Sequence, residues 1–441
     1  MALERVMGQG ALEAAEQITR GEDMHALVRR LYPICRSITG EGVRETLAIL
    51  SEIHPITVRE VPTGTTAFDW EAPQEWVIRD AWIAGPDGER IVDFRVHNLH
   101  VVNYSIPVRG RFSLEELRPH LFSMPDRPHL IPYRTSYYAP TWGFCLPHAL
   151  LESLPDATYE VVIDSELRDG AVTLGEIVLP GETDEEILIS THTCHPSLAN
   201  DNLSGLAVSI NLARAIAARP RRYTYRFLYG PGTIGSILWL ALNEDKVGRI
   251  RHGLVLTGMG DTGPLTYKRS RLGDKMIDRV AEHVLETSGA PAAFMDYYPY
   301  GYDERQFCSP GFDLPVGRLS RTPHGEYPEY HTSGDTPDFV KPAALAASFE
   351  AALAIFDVLE RDRVVVSANP KGEPRLGKRG LYRQVAGQAN AKPDEMALLW
   401  VLAYADGRHS LLDIAIRAKA PFARIAAAAR VLEHHDLLGP A

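Results

Sequence analysis

Between Glu186 and Val364 the chain alternates short apolar segments with longer amphipathic ones, and this alternation constrains the fold more than any other feature. EILIST (186–191), YTYRFLY (223–229), HGLVLTG (252–258) and Leu314–Leu319 have the length and apolar run of buried strands. Asn202–Ala218, Ile234–Asn243, Asp274–Ser288 and Pro342–Val364 carry apolar residues at helical spacing. Strands joined through helices run parallel, because a parallel pair needs a crossover and cannot be closed by a hairpin. The expected fold is therefore α/β, a mostly parallel sheet with helices on both faces. Open sheets of this kind bind ligands at the carboxyl ends of their strands. Chemistry is expected in the polar residues that follow each strand.

The flanking regions read differently. A chain of 441 residues exceeds a single core, taking roughly 150 residues per domain. Residues 63–154 contain short alternating stretches such as WVIRDAW (76–82), many Pro and Gly turns, and clustered aromatics, the pattern of a β-rich insertion. Trp70, Trp76, Trp82, Tyr133, Tyr137, Tyr138 and Trp142 either form its core or line a pocket for a ring, and core is the expectation. Ser367–Arg379 (SANPKGEPRLGKR) reads as a linker. Beyond it, Asp394–Ala405, Ser410–Ala418 and Pro421–His434 are helical in pattern, with Ser410 as a cap; three helices in about 50 residues suit a helix-turn-helix. The expected domains are 20–62 with 155–364, the insertion 63–154, and a C-terminal domain over 365–441.

Charge and cysteine usage narrow the function classes. Net charge is −11, divided into +5 from Arg361 onward and −16 before it. An acidic body disfavours general binding to nucleic acid or anionic membrane. The expected recognition helix Pro421–His434 carries only Arg424 and Arg430, fewer cations than DNA affinity normally rests on. No apolar run approaches the roughly 20 residues of a membrane span, and the N-terminal stretch is amphipathic and charged without a signal-peptide core. Cys35, Cys145, Cys194 and Cys308 are scattered with no CxxC pair, which fits free thiols in a reducing compartment. A cytoplasmic protein is expected.

Four stretches carry candidate chemistry. In HTCHPSLANDNLSG (192–205), two imidazoles follow a strand and a carboxylate precedes a helix; His192, His195 and Asp201 are ligand types for zinc. In YHTSGD (330–335), His331 follows the last strand and returns to the same sheet edge. His192, Asp201 and His331 together make a two-His, one-carboxylate set of the kind found in catalytic zinc sites. After HGLVLTG, Asp261 would ligate the metal or orient a ligand, and the nearby YKRSR (267–271) offers Arg271 for an acidic substrate group. YDER (302–305) supplies an acidic pair for a general base, or a pair that merely neutralises Arg305.

The order of strand-His, Asp-Asn-x-Ser-Gly, a post-strand Gly-x-Gly-Asp and a late Tyr-His-Thr-x-x-Asp resembles the co-catalytic zinc aminopeptidases. It is most similar to a branch labelled by an aminopeptidase-like domain and associated with polysaccharide or natural-product biosynthesis. The resemblance covers nearly the whole chain from about Met24, and HTCHPSLANDNLSG, YKRSR and EYPEYHTSGD are its specific stretches. It implies a zinc-exopeptidase-like sheet, an inserted β domain and a C-terminal winged helix. Two departures matter. The carboxylate that orients the first ligand in those enzymes is replaced here by Cys194, a poor acceptor for an imidazole N–H. Their Glu-Glu pair is absent as well, since Leu228–Ser236 (LYGPGTIGS) holds no carboxylate. One Zn²⁺ is therefore expected rather than two.

The resulting expectation is a zinc-dependent hydrolase of an amide bond in a small peptide or aminoacylated metabolite. His192, Asp201 and His331 would hold the metal, with Asp261 and His195 as further candidates. Glu304 is the expected base and Glu329 its alternate; Arg271, Arg305, Asn202 and Tyr302 are the expected substrate contacts. The turn Pro231–Ser236 is expected to offer backbone N–H groups to an anion or oxyanion. The alternative is a catalytically reduced, metal-retaining small-molecule binding protein whose winged helix serves as an interaction or DNA-binding module. A small-molecule or short-peptide partner is expected, without membrane or nucleic acid, and homo-oligomers remain compatible.

Overall fold

The computed structural model describes residues 20–381 and 393–440; the N-terminal stretch discussed above lies outside them. An eight-stranded sheet is built from β1 (Thr57–Pro62), β2 (Ala171–Leu179), β3 (Glu186–His192), β4 (Thr224–Gly230), β5 (Ile250–Leu256), β6 (Leu265–Lys268), β7 (Ala292–Met295) and β8 (Val316–Ser320). The spatial order is β1-β2-β4-β3-β5-β8-β6-β7. Its centre, β4-β3-β5-β8, is parallel, whereas β1-β2, β2-β4 and β6-β8 are antiparallel. Every residue of β3 is buried, as a strand covered on both faces requires. The charge at its start is neutralised inside the fold: Arg226 bonds Glu186 at 2.6 and 2.8 Å and Glu176 at 2.8 Å.

β3 runs one residue further than the apolar run suggests, so that His192 pairs with Gly230 of β4. The next helix begins later than expected, at Gly205, because Ala199–Ser204 forms a wide turn with non-helical Asp201 and Asn202. A β-carbon on Gly205 would lie 2.4 Å from Asn202 Oδ1 and 2.7 Å from its Nδ2. Only glycine lets the Asn202 amide lie against the helix start, and that contact sets where the turn ends.

The insertion carries a four-stranded antiparallel sheet in the order Arg90–Asp93, Glu75–Ala84, Thr158–Arg168, Val108–Ser113. Thr158–Arg168 lies beyond the sequence-based boundary at residue 154. It belongs to this sheet because its residues 160–168 pair with Glu75–Ala84 and it adds Tyr159, Val161 and Ile163 to the cluster around Trp76, Ala81 and Ile83. Trp76, Tyr137 and Trp142 are part of that core, whereas Tyr138 is 80% exposed.

Residues 274–292 and 350–441 make a separate compact unit. Within it, Val364–Ser367 pairs antiparallel with both Asp406–Ser410 and Leu438–Pro440, and the helices Pro393–Tyr404, Leu411–Ala418 and Phe422–His434 complete the three-helix pattern. Ser410 caps its helix reciprocally: its hydroxyl accepts from Asp413 N–H, and the Asp413 carboxylate accepts from Ser410 N–H. The two outer strands were not anticipated, since DGRHS is polar and LGP is too short to show a period. The membrane reading also needs correction. The helix Pro342–Arg361 is long and apolar enough to cross a membrane by length and composition, because only Glu350 and Asp357 are charged before its last two residues. Leu345, Phe349, Ala352, Ile355 and Phe356 are buried in the protein.

Gly205→Ala is expected to destabilise the chain by about 1–3 kcal/mol, as overpacking a filled site does. Chemical denaturation measures this, and an unchanged midpoint would show that Asn202 does not depend on the close approach.

Candidate metal centre

The side chains that follow the parallel strands converge on Asp201, which is 1% exposed. His192 Nε2 lies 2.9 Å from Asp201 Oδ1, and the Tyr302 hydroxyl donates to the same oxygen at 3.1 Å. The other oxygen, Oδ2, faces His331 Nε2 at 3.0 Å and His195 Nδ1 at 3.8 Å. Tyr302 stacks on the His192 ring with centroids 4.6 Å apart. His195 and His331 hold positive φ angles of 82° and 54°, a conformation that costs a residue with a β-carbon about 1–3 kcal/mol. Neighbouring contacts hold them there. The insertion supplies some: Tyr133 N–H donates to His331 O at 2.8 Å, Ile131 N–H donates to Ser333 Oγ at 2.9 Å, and the Tyr133 ring stands edge-on to His195 and His331. Tyr133 was expected in the core of the insertion; it packs against the cluster of Leu99, Val102, Ile131 and Cys145 there and is also a wall of this site.

The electrostatics follow from burial and from one carboxylate. Burial pushes His195 down to about 3, against the pull of Asp201, so its imidazole is neutral. Burial would raise Asp201, but hydrogen bonds from His192 and His331 outweigh it and hold the acid well below the usual range. Burial and the nearby Asp201 charge raise the Tyr302 phenol well above its ordinary value, so it stays a donor. Beneath the turn, Asp335 accepts the backbone N–H groups of Asn200 at 2.6 Å and Asp201 at 3.0 Å. Burial raises Asp335 to about 8.

Two expected contacts belong to the framework. Asp261 accepts Asn200 Nδ2 at 3.1 Å, Thr322 Oγ1 at 2.6 Å and Gly263 N–H at 2.7 Å, so it orients the turn and does not face the imidazoles. Asn202 is 2% exposed; its amide donates to Thr191 Oγ1 at 2.8 Å and accepts Gly258 N–H at 3.2 Å, which leaves it no role as a substrate contact. Cys194 is a buried thiol, pushed up to about 12 by burial, and its sulfur accepts Gly232 N–H at 3.2 Å. With Gly235 N–H bonded to Pro231 O at 2.7 Å, part of the expected anion turn is already spent within the chain.

The acidic pair separates. Glu304, expected as the base, is fully buried in an ion pair with Lys268 at 2.9 Å, with Arg318 at 3.5 Å, and its carboxylate also accepts Tyr302 N–H at 3.1 Å. It is a structural counter-charge. Asp303 turns the other way. Its Oδ1 accepts Ser236 Oγ at 3.0 Å and lies 3.6 Å from where a side chain on Gly232 would begin, a point 3.2 Å from His192 Cβ. A carboxylate therefore borders the turn that has none of its own, and burial raises it to about 6. Glu329 enters through its backbone: its carbonyl accepts Thr332 N–H at 3.1 Å and Thr332 Oγ1 at 2.8 Å, shaping the turn that presents His331. Arg271 pairs with Asp313 at 2.9 Å, and Arg305 lies near the Tyr300 ring; neither bonds to a residue around Asp201.

The residues present fit a zinc ion. Donor atoms of His192, His195 and Asp201 lie within 4.8 Å of one another, and His195 Nδ1 is buried with no hydrogen-bond partner among the described residues. Neutral imidazole nitrogens and carboxylate oxygen are the donor types zinc takes.

The sheet and the motif edge define an aminopeptidase-like α/β protein. A zinc aminopeptidase from Bacillus subtilis matches with a TM-score of 0.56 over 76% of this chain and 93% of its own, at 13% identity. A peptidase M28 precursor from Shewanella amazonensis SB2B matches at 0.53 over 79% and 96%, at 14% identity. Identities this low speak for the fold alone. The chain belongs to the family described as a domain of unknown function (DUF4910), which matches residues 25–362, and a winged helix-turn-helix family matches residues 363–440. A Clostridium acetobutylicum protein, named a polysaccharide biosynthesis protein with aminopeptidase-like domain, is 47% identical over 418 residues, 95% of this chain and 96% of its own. A crystal structure from Clostridium acetobutylicum, assigned by name as a peptidase, matches with a TM-score of 0.93 at 44% identity over 99% and 100% of the two chains.

Glu304→Leu leaves Lys268 and Arg318 buried without their counter-charge, at a cost of about 3–5 kcal/mol. Urea unfolding should show that loss while zinc binding to the folded fraction persists. Loss of zinc with full stability would return Glu304 to the metal.

Proposed function

We propose that the protein is a zinc-dependent hydrolase of an amide bond in a small peptide or aminoacylated metabolite, working in the cytoplasm in polysaccharide or related biosynthesis. The observation that carries this reading is the convergence of three imidazoles on the single buried carboxylate of Asp201, at the carboxyl end of a parallel sheet. The biosynthetic setting rests on the name of the Clostridium acetobutylicum relative.

His192, His195 and Asp201 hold the ion, with His331 on the second oxygen of the same carboxylate. One ion is favoured because Leu228–Ser236 brings no further carboxylate. When bound, zinc polarises a carbonyl and lowers the pKa of a water. Asp303 is the candidate base, placed beside His192 and held by Ser236. Tyr302 keeps its proton and positions Asp201 through the 3.1 Å hydrogen bond. Tyr133 closes the wall over His195 and His331 and limits access by water.

The reading predicts about one zinc per chain after gentle purification, lost in His192→Ala and Asp201→Ala. With zinc loaded, Asp303→Asn should lower turnover of a dipeptide panel by about 10²–10⁴-fold while zinc content holds. Metal analysis and single-turnover kinetics measure both. Full zinc with no turnover across the panel would favour the metal-retaining binding protein. Less than about half an equivalent of zinc would remove the metal centre altogether.

A further inference from the structure

Next to the metal centre lies a small, partly open cavity of about 10 Å³, lined by Thr257, Gly258, Tyr302, Arg318, Ser320 and His324 among others. Tyr302 is the shared wall, since its hydroxyl bonds Asp201. Arg318 and Ser320 come from β8, and residues two apart on a strand share a face. Arg318 is 1% exposed, yet its Nε is buried with no hydrogen-bond partner among the described residues, and the same holds for Ser320 Oγ. Buried polar groups are normally satisfied, so two orphaned donors on one strand face beside a cavity call for a ligand.

The charges point the same way. Lys268 on β6 stands directly opposite Arg318 on β8, and both are buried. Like charges placed opposite each other across strands repel. Glu304 is the only carboxylate that bonds or ion-pairs with either cation among the described residues, at 2.9 Å from Lys268 and 3.5 Å from Arg318. Lys268 is satisfied further by the carbonyls of Tyr298 and Tyr300. Besides Glu304, Arg318 meets His324 Nδ1, which faces Nη1 at 3.1 Å. Two buried cations share one bonded carboxylate, and an incompletely compensated buried charge is costly.

We propose that this cavity takes a carboxylate of the substrate, with Arg318 Nε and Ser320 Oγ as donors, so that the scissile amide at the metal belongs to an acidic molecule. The proposal rests on the hydrolase reading for the metal, but the pocket makes its own claim. A guanidinium edge pairs with a planar carboxylate through charge-assisted hydrogen bonds. Arg318 thus takes the anchoring role expected of Arg271 or Arg305, whose side chains lie against Asp313 and Tyr300.

The test is calorimetric titration of the zinc-loaded full chain with N-acetyl-L-alanine and with N-acetyl-L-alaninamide, which differ only in the carboxylate. The acid should bind at least about 10-fold more tightly than the amide, in keeping with the worth of a charge-assisted bond. Arg318→Gln should bring the two to parity, and Ser320→Ala should shrink the preference about 3-fold. If Arg318→Gln does not fold, the wild-type ratio and Ser320→Ala decide. Equal affinities in the wild type, no measurable binding of the acid, or a preference that survives in folded Arg318→Gln would overturn the pocket. Turnover of the dipeptide panel is read separately. Selective binding without turnover rejects the hydrolase and keeps the pocket; turnover without selective binding does the reverse.

Discussion

The structure of the site depends on the ionised carboxylate of Asp201 buried among imidazoles. An isolated buried carboxylate is costly, and this one is sustained because His192, His331 and Tyr302 direct polar hydrogens or metal-binding nitrogens at its two oxygens. Everything nearby holds those groups in place. Asp335 fixes the backbone of the turn, Asn202 ties the turn to β3 and β5, and Asp261 fixes Asn200. The insertion contributes through residues 131–133, which run against the His331 turn. The inserted domain is thus part of the site and not an ornament on the sheet.

Much of this was legible in the sequence. β3, β4, β5 and β8 announce themselves as apolar runs, and the helices between them force a parallel arrangement. His192 and Asp201 stand out because a ligand-type residue after a strand lies at the edge where such sheets bind. The empty turn at Gly232 was equally plain. What fills that place was not. Asp303 and Glu304 are adjacent, and consecutive residues at a helix start point about 100° apart, so one meets His192 and the other Lys268. No sequence pattern says which, because the answer is set by what each direction encounters. Asp303 carried no separate signal beyond being the other half of the pair.

Arg318 was hidden for a related reason. Leu314–Leu319 reads as a buried strand, and a charged residue inside it has no periodic signature of its own. Its importance appears only when register places Lys268 opposite it and Glu304 comes up as the shared counter-charge. The same holds for Tyr133, which composition assigns to the core of the insertion and tertiary contact also brings to the metal centre. Local pattern specified the sheet edge; long-range contacts specified its chemistry.

The central claim is that zinc binds through imidazole and the Asp201 carboxylate, with Cys194 left as a protonated thiol. X-ray absorption at the zinc edge of the purified chain tests it directly. The account predicts a first shell of nitrogen and oxygen at about 2.0–2.1 Å, with outer-shell imidazole scattering and no sulfur. A sulfur shell at about 2.3 Å would contradict it by placing Cys194 on the metal.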